Sequence, residues 1–305
     1  NPYLRFMFLN IFCFKQQMAY EIASCLVGSE MCISESILAF LIGIYIASKD
    51  LVARKRGVTD KKMIEDYAFW GMMSGLIGAR LYYVIFRFTD YIGDPISIFK
   101  VWEGGLAIHG GIIGGVIGTL IYAKKKKINI WILMDLAVGP LLFGQTIGRF
   151  GNFANGEVHG VPTFTPLKVI FNGTFTTWWE SYQKLGIDLQ SKFKEIVPWG
   201  VVFPNDTPAG QEFPGLALHP AMLYEMGLNF IGFLLLWFYF RKKEYNVGIL
   251  SMIYLIMYAL IRSFVSMFRS EDLTFFNIIR APHLISIIML IVAVIGIKYF
   301  NKKKI

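Results

Sequence analysis

The stretch from Gly248 to Phe268 reads GILSMIYLIMYALIRSFVSMF, and it decides the fold class. A transmembrane helix needs about 20 predominantly apolar residues, and this stretch meets that requirement. Similar apolar segments occur at about 36–53, 66–88, 105–123, 131–150, 219–240 and 281–298. The pattern predicts an all-α integral membrane protein with about seven transmembrane helices.

The composition supports this class and argues against a soluble protein. Of the 305 residues 55% are hydrophobic and 17% are charged, against about 25% charged residues in a typical soluble domain. The net charge of +9 by itself suggests nucleic acid, but the basic residues are grouped at the ends of the apolar segments, so we predict no nucleic-acid partner. Cys13, Cys25 and Cys32 have neither zinc-site nor redox spacing.

The basic clusters predict the orientation of the chain in the membrane. Clusters of Lys and Arg follow the first, third, fifth and last apolar segments, at 54–62, 124–127, 241–243 and 298–304. With seven spans these clusters all lie on one side, which the positive-inside rule makes cytoplasmic. The long segment 161–218 then lies outside the cell membrane. It is rich in aromatic residues and prolines, and we interpret it as a folded cap with some strand or as a loosely ordered loop.

With this topology, polar and charged residues that are unfavourable within a membrane lie together at the outer ends of five spans. They are Arg80, His109, Arg149, Asn152, Glu157, His219, Tyr224, Glu225, Tyr258 and Arg262. A charge within a membrane costs at least about 2.5 kcal/mol, so such residues usually serve a function, although each one alone has an alternative role as a packing bond or interface anchor. Paired glycines flank His109 and leave it accessible, and several arginines at headgroup depth indicate a phosphate ligand.

The sequence also argues against a nucleotide-binding site and a metal site. The chain contains no P-loop and no dinucleotide-binding motif. Its four histidines do not form a helical i, i+4 pair and have no cysteine nearby, so we predict no metal site.

Five segments, in order, resemble the motifs of the prolipoprotein diacylglyceryl transferase family. The most specific is the thirteen-residue run Gly148–Gly160, and the others match the second, third, fifth and sixth spans. In sequence they read GRFGNFANGEVHG (Gly148–Gly160), GARLYY (Gly78–Tyr83), VWEGGLAIHGG (Val101–Gly111), HPAMLYE (His219–Glu225) and RSFVSMFRSED (Arg262–Asp272).

The resemblance implies a reaction and its partners. Such enzymes transfer the diacylglyceryl group of phosphatidylglycerol to the lipobox cysteine thiol of a prolipoprotein, and glycerol phosphate leaves. It implies a multi-pass protein of the bacterial inner membrane, with the active site toward the outer leaflet and the C-terminus in the cytoplasm. No cofactor is needed. The partners are phosphatidylglycerol, the lipobox peptide and membrane lipid.

The resemblance also implies residue roles. His109 is the expected base for the thiol, with an arginine-bound water as the alternative. Arg149 and Arg262 stabilise the departing phosphate. Asn152 and Glu157 orient the headgroup and the arginines. Further substrate contacts are expected from Arg80, Tyr258, His219, Tyr224 and Glu225.

The resemblance divides the chain into three parts, and the chain departs from the family pattern at a few positions. Residues 36–298 form the transmembrane catalytic domain with the cap 161–218, between an atypical segment 1–35 and a basic cytoplasmic tail 299–305. The family usually has Glu at position 266, where this chain has Ser266. The first span around Ser36 and the last span around Pro282 also depart. Two alternatives therefore stay open: an inactive membrane protein that binds lipid or prolipoprotein, and an anion transporter.

Overall fold

The computed structural model describes residues 29–50, 55–58, 60–101, 104–190, 192–193, 197–270, 274–275 and 279–302. Most of the predicted N-terminal segment lies outside these residues, as do Cys13, Cys25 and the end of the basic tail. The chain divides into two compact units, residues 1–140 and 141–305.

The described chain is mostly helical, and its strands are short. The α-helices are α1 (Ser29–Ser48), α2 (Lys61–Phe86), α3 (Ile108–Lys126), α4 (Ile130–Ala154), α5 (Leu167–Asn172), α6 (Phe175–Gln183), α7 (Ile187–Gln190), α8 (Pro208–Glu212), α9 (Ala221–Leu234), α10 (Ile249–Ser266) and α11 (Ala281–Lys302). Two antiparallel pairs are formed by β1 (Val201–Val202) with β2 (Ala217–Leu218), and by β3 (Thr274–Phe275) with β4 (Ile279–Arg280).

Among the described residues, five helical segments are long and apolar enough to cross a membrane. They are Lys61–Phe86, Ile130–Ala154, Ala221–Lys242, Ile249–Ser266 and Ala281–Lys302. The predicted class of all-α membrane protein is confirmed. The count of seven stays a prediction, with α1 and α3 at the two remaining segments. On α11, the side chains of Ile288, Ile291 and Ile295 are exposed, as expected for a helix that faces lipid.

In the first unit, α2 and α3 pack through glycines. A Cβ on Gly78 would lie 2.8 Å from the Cα of Gly114, so only glycine allows the two backbones to approach this closely. Gly110 and Gly118 are equally restricted by α2, whereas Gly115 has nothing within 4 Å. The glycines that pack closely against α2 are therefore Gly110, Gly114 and Gly118, and not Gly115 on the adjacent face.

The first unit also contains an ion pair between Arg56 and Asp135. Nη1 of Arg56 donates to Oδ2 of Asp135 at 3.1 Å, and Asp135 is buried. Its pairing with Arg56 gives it a structural role beside the buried cluster of Ile64, Leu133 and Leu136.

In the second unit, segment 161–218 packs around its own hydrophobic cluster. The buried members are Val161, Ile170, Phe175, Phe203, Ala209, Phe213, Leu218 and Met222. Strands β1 and β2 pair Val201 with Leu218, and Met222 belongs to the first turn of α9. The cluster thus ties the segment to the start of a spanning helix.

The last two spans of the second unit pack closely on one another. A Cβ on Gly296 of α11 would overlap the Met252 side chain of α10, and a Cβ on Gly248 would lie 2.8 Å from the Phe300 ring. Asn246 Nδ2 also donates to the Phe300 carbonyl at 3.0 Å. These contacts hold the α10 helix, which carries Arg262, against α11.

Candidate active site

The C-terminal end of α4 presents Arg149 and Asn152 and then turns sharply. Gly156 has a positive φ of 64°, and a Cβ there would lie 2.7 Å from Cβ of Thr207. Glycine is therefore required at this position. The turn brings the N–H of Glu157 to the carbonyl of Asn152 at 2.9 Å. Nδ2 of Asn152 also donates to Oε2 of Glu157 at 3.1 Å.

Glu225, in the first two turns of α9, bridges two arginines. Its Oε1 lies 3.0 Å from Nη2 of Arg149, and its Oε2 lies 3.5 Å from Nη1 of Arg262 on α10. The Glu225 side chain is 1% exposed, whereas those of Arg149 and Arg262 are 18% and 23% exposed. A buried carboxylate thus holds two partly accessible guanidinium groups on one side of the unit.

These contacts form one continuous chain of polar side chains, the arginine chain. It runs from Arg262 through Glu225, Arg149 and Asn152 to Glu157, with Nη1 of Arg149 donating to Oδ1 of Asn152 at 2.9 Å. Arg269 also acts electrostatically on Glu225. The clustered positive charge, held at partly exposed guanidinium groups, is suited to binding a phosphate.

Glu157 lies at the far end of the arginine chain, beyond the end of the span. Burial raises the pKa of its carboxyl above the ordinary value of 4.5, and the hydrogen bond from Asn152 partly opposes this rise. The raised pKa favours the neutral form of Glu157.

A second hydrogen-bonded group involves His219, Tyr224 and Trp199. Nε1 of Trp199 donates to the Tyr224 hydroxyl at 2.8 Å, and that hydroxyl lies 3.1 Å from Nδ1 of His219. Since indole N–H is only a donor, the fewest polar atoms stay unpartnered when the Tyr224 O–H donates to His219. We therefore assign the ring proton of His219 to Nε2, which is buried without a hydrogen-bond partner.

In the first unit, His109 is the second residue of α3. Its ring stacks on Tyr82 of α2 with ring centroids 6.1 Å apart, and its Nδ1 is buried without a hydrogen-bond partner. Gly110, the next residue, packs against Gly78. One of the glycines beside His109 therefore serves helix packing.

Arg80 of α2 holds the backbone that precedes α3. Its guanidinium donates to the carbonyls of Ser97, Ile98, Lys100, Gly104 and Gly105. A Cβ on Gly105, which has a φ of 71°, would lie 2.5 Å from Nη1 of Arg80. Arg80 thus occupies its donors with main-chain acceptors, which matches the anchoring alternative for this residue.

A family model described as prolipoprotein diacylglyceryl transferase matches residues 35–299. The chain belongs to this family. A member from Fusobacterium nucleatum is 54% identical over 269 residues, which cover 87% of this chain and 92% of the relative. Members from Oceanobacillus iheyensis and Halalkalibacterium halodurans are each 35% identical, over 87% and 85% of this chain and 83% and 78% of the relatives. All three are named phosphatidylglycerol–prolipoprotein diacylglyceryl transferase. The family predicted from the sequence is confirmed, and it is a family of transferases.

This chain holds Arg262 without a glutamate at position 266. Glu225 contacts Arg262 from α9, while Oγ of Ser266 donates to the Ser263 carbonyl at 2.9 Å. The carbonyl of Ser266 accepts from Nη1 of Arg280 at 2.8 Å. The departure at Ser266 therefore leaves Arg262 with a carboxylate partner.

The second unit brings most of the predicted site residues of its own part of the chain into contact. Arg149, Asn152, Glu157, Glu225 and Arg262 form the arginine chain, and His219 and Tyr224 form the second group. Tyr258 lies one turn before Arg262 and stacks on Tyr254, with centroids 6.1 Å apart. The predicted meeting of Arg80 and His109 with these residues stays a prediction.

Sequence reasoning missed three residues of the second unit. Trp199 binds Tyr224 from segment 161–218 and has no sequence signal for that role. Gln145 and Asn229 do have a sequence signal, because each lies four residues, or one helical turn, from a predicted site residue on its own helix. The spacing places Gln145 below Arg149 and Asn229 below Glu225.

Proposed function

We propose that this protein transfers the diacylglyceryl group of phosphatidylglycerol to the lipobox cysteine thiol of prolipoproteins. Family membership and the names of the relatives support the reaction. The structural observation that supports it most directly is the buried Glu225 between the partly exposed Arg149 and Arg262. Two held guanidinium groups form a receptor for the phosphodiester, because guanidinium binds phosphate oxygens bidentately.

The proposed step exchanges one bond for another. The cysteine sulfur attacks the glyceryl carbon next to the phosphate oxygen, an S–C bond forms and that C–O bond breaks. Glycerol phosphate leaves with the electron pair. Arg149 and Arg262 offset the charge that develops on the departing phosphate.

The thiol proton requires a base, since an ordinary thiol with a pKa near 8.5 is mostly protonated at neutral pH. We propose His109 for this role, supported by its unpartnered Nδ1 at the start of α3. Asn152 orients the headgroup and Arg149. For His219, Tyr224 and Tyr258 we propose contacts that support the substrates. For Arg80 we propose support of the site through the main-chain carbonyls that it binds before α3.

We further propose that the protein lies in the bacterial inner membrane with its site at the outer leaflet and its C-terminus in the cytoplasm. The basic residues in the last turns of α3 and α11 support this orientation, as does the basic run Arg241–Lys243 that begins in the 3₁₀ turn after α9. Segment 161–218 is then the outward cap. A cysteine-labelling assay on intact cells, with labels placed at Lys168 and at Lys125, tests this arrangement.

An in vitro transfer assay tests the function. The purified chain in detergent receives phosphatidylglycerol and a lipobox peptide, and mass spectrometry follows the peptide. We expect a diacylglyceryl mass gain with an equal amount of glycerol phosphate. Arg149→Ala should abolish turnover and His109→Gln should slow it strongly, while Lys168→Ala, an exposed control, should not. An active Arg149→Ala enzyme would exclude the site assignment, and a wild-type protein without product would favour a lipid or prolipoprotein binder.

A further inference from the structure

A second polar layer lies one helical turn deeper than the arginine chain. Four residues before Arg149 on α4 is Gln145, and four residues after Glu225 on α9 is Asn229. At 1.5 Å per residue, both lie about 6 Å further along their helices. We call Gln145 and Asn229 the amide layer.

Contacts above and below fix the register of the amide layer. Arg149 pairs with Glu225 above it. Three residues below it, a Cβ on Gly232 of α9 would lie 3.9 Å from Leu142 of α4, and the rings of Phe143 and Phe233 lie 5.3 Å apart. Because the two helices pack in this register on both sides, Gln145 and Asn229 face the same level between them.

The amide layer contains polar atoms without partners. Asn229 is fully buried, and neither Nδ2 nor Oδ1 has a hydrogen-bond partner. Nε2 of Gln145 donates to the Tyr254 hydroxyl at 3.1 Å, while its buried Oε1 has no partner. Buried polar groups are normally hydrogen-bonded, and amides without partners in a membrane span are especially unfavourable. Such groups indicate a ligand.

The depth of the amide layer and its hydrogen-bond donors indicate which part of the ligand binds there. The polar region of a bilayer is roughly 5 to 8 Å thick in each leaflet. With its phosphate at Arg149 and Arg262, a diacyl phospholipid places its two ester carbonyls within about one helical turn of those arginines, above its acyl chains. Ester carbonyls only accept hydrogen bonds. The amide NH₂ group of Asn229 is a donor, and Gln145 presents a donor when its amide turns over.

We propose that Asn229 and Gln145 bind the ester carbonyls of the lipid donor. This inference rests on the proposed function, since it assumes a phosphodiester at the arginine chain. It assigns the recognition of the diacyl part of the substrate to two residues outside the family motifs quoted above. It also explains why both polar atoms of the buried Asn229 amide, and Oε1 of Gln145, have no partner in the protein.

A comparison of ester and ether lipids tests the proposal. Dialkyl phosphatidylglycerol has the same headgroup and the same reacting C–O bond as the diacyl lipid but lacks both ester carbonyls. We expect wild-type kcat/KM to be roughly fivefold to tenfold higher with the diester donor, the size of one or two hydrogen bonds. Asn229→Leu should lower the diester value toward the diether value, by the contribution of one hydrogen bond, and leave the diether value unchanged within about twofold.

A matched control is Ser286→Ala, which removes a buried polar group without a partner elsewhere, the Ser286 hydroxyl on α11. It should affect both donors equally. An Asn229→Leu variant that loses activity equally with both donors, or a wild type without ester preference, would overturn the proposal.

Failure of the proposed function is recognised separately, because wild type would then transfer from neither donor. In that case displacement of a fluorescent phosphatidylglycerol measures binding. A preference for diester over diether lipid that is reduced in Asn229→Leu supports the proposal. Equal affinity of wild type for both lipids overturns it.

Discussion

Asn152 binds Glu157 twice. Its side-chain Nδ2 donates to Oε2 of Glu157 at 3.1 Å, and its backbone carbonyl accepts the N–H of the same residue at 2.9 Å. With Nδ2 directed at Glu157, Oδ1 is left to accept from Arg149. The turn after α4 therefore fixes the orientation of an amide that in turn positions an arginine, and this explains why the residues between them form one compact motif.

Glu225→Gln should greatly reduce activity and stability. The change leaves Arg149 and Arg262 without their shared carboxylate, and breaking a buried ion pair typically costs about 3 to 5 kcal/mol. We expect a loss of about 100-fold or more in kcat/KM and a lower melting temperature in detergent. The exposed Glu180→Gln is the control and should match wild type. Wild-type turnover in Glu225→Gln would contradict the bridging role.

Ser266→Ala should be tolerated. Oγ of Ser266 donates only within its own helix, and Arg280 binds the Ser266 carbonyl, which alanine retains. We expect kcat/KM within about threefold of wild type, since a neutral hydrogen bond contributes about 1 kcal/mol. A much larger loss in the transfer assay would mean that Ser266 itself replaces the family glutamate.

Trp199→Phe should lower the stability of the fold only by removing the hydrogen bond to Tyr224. Phenylalanine retains an aromatic ring but removes the N–H that binds the Tyr224 hydroxyl. We expect a loss of about 0.5 to 1.5 kcal/mol in the free energy of unfolding. Because the two residues share one hydrogen bond, Trp199→Phe should have little further effect in a Tyr224→Phe background. Additive losses in this double-mutant cycle would exclude the coupling.

The raised pKa of Glu157 predicts a pH-dependent stability. The folded protein holds this proton more tightly than the unfolded chain, so the contribution of Glu157 decreases as pH rises from the ordinary value of 4.5 through the raised folded pKa. Below 4.5 both states are protonated and the contribution is constant. Relative to wild type, Glu157→Gln should therefore melt at a higher temperature near about pH 8 than near about pH 4. A difference that does not change with pH would contradict this.

Gly110→Ala and Gly115→Ala should differ although both are in α3. A methyl group on Gly110 overlaps Gly78 of α2, whereas one on Gly115 meets nothing within 4 Å. Overpacking costs typically about 1 to 3 kcal/mol, so Gly110→Ala should lower the melting temperature. Gly115→Ala should be neutral or stabilising, since alanine favours helix by up to about 1 kcal/mol. Equal changes in melting temperature for the two variants would contradict the assignment of Gly110 to the contact with α2.

The sequence by itself determined the membrane class, the family and the residues of the arginine chain. Apolar runs of about 20 residues and motifs such as Gly148–Gly160 are local properties, readable without any contact. The spacing of helical residues also placed Glu225 and Arg262 toward the ends of their spans. Their partners were not readable from the sequence.

The tertiary structure decided how neighbouring helices are rotated and aligned. It selected Gly110, Gly114 and Gly118 over the adjacent stripe, gave both arginines one carboxylate in Glu225, and placed Asn229 and Gln145 at one level. Helical periodicity defines which residues share a face, but the register between two helices depends on how all their side chains pack. That packing energy is spread over many contacts far apart in the chain, so no local pattern encodes it.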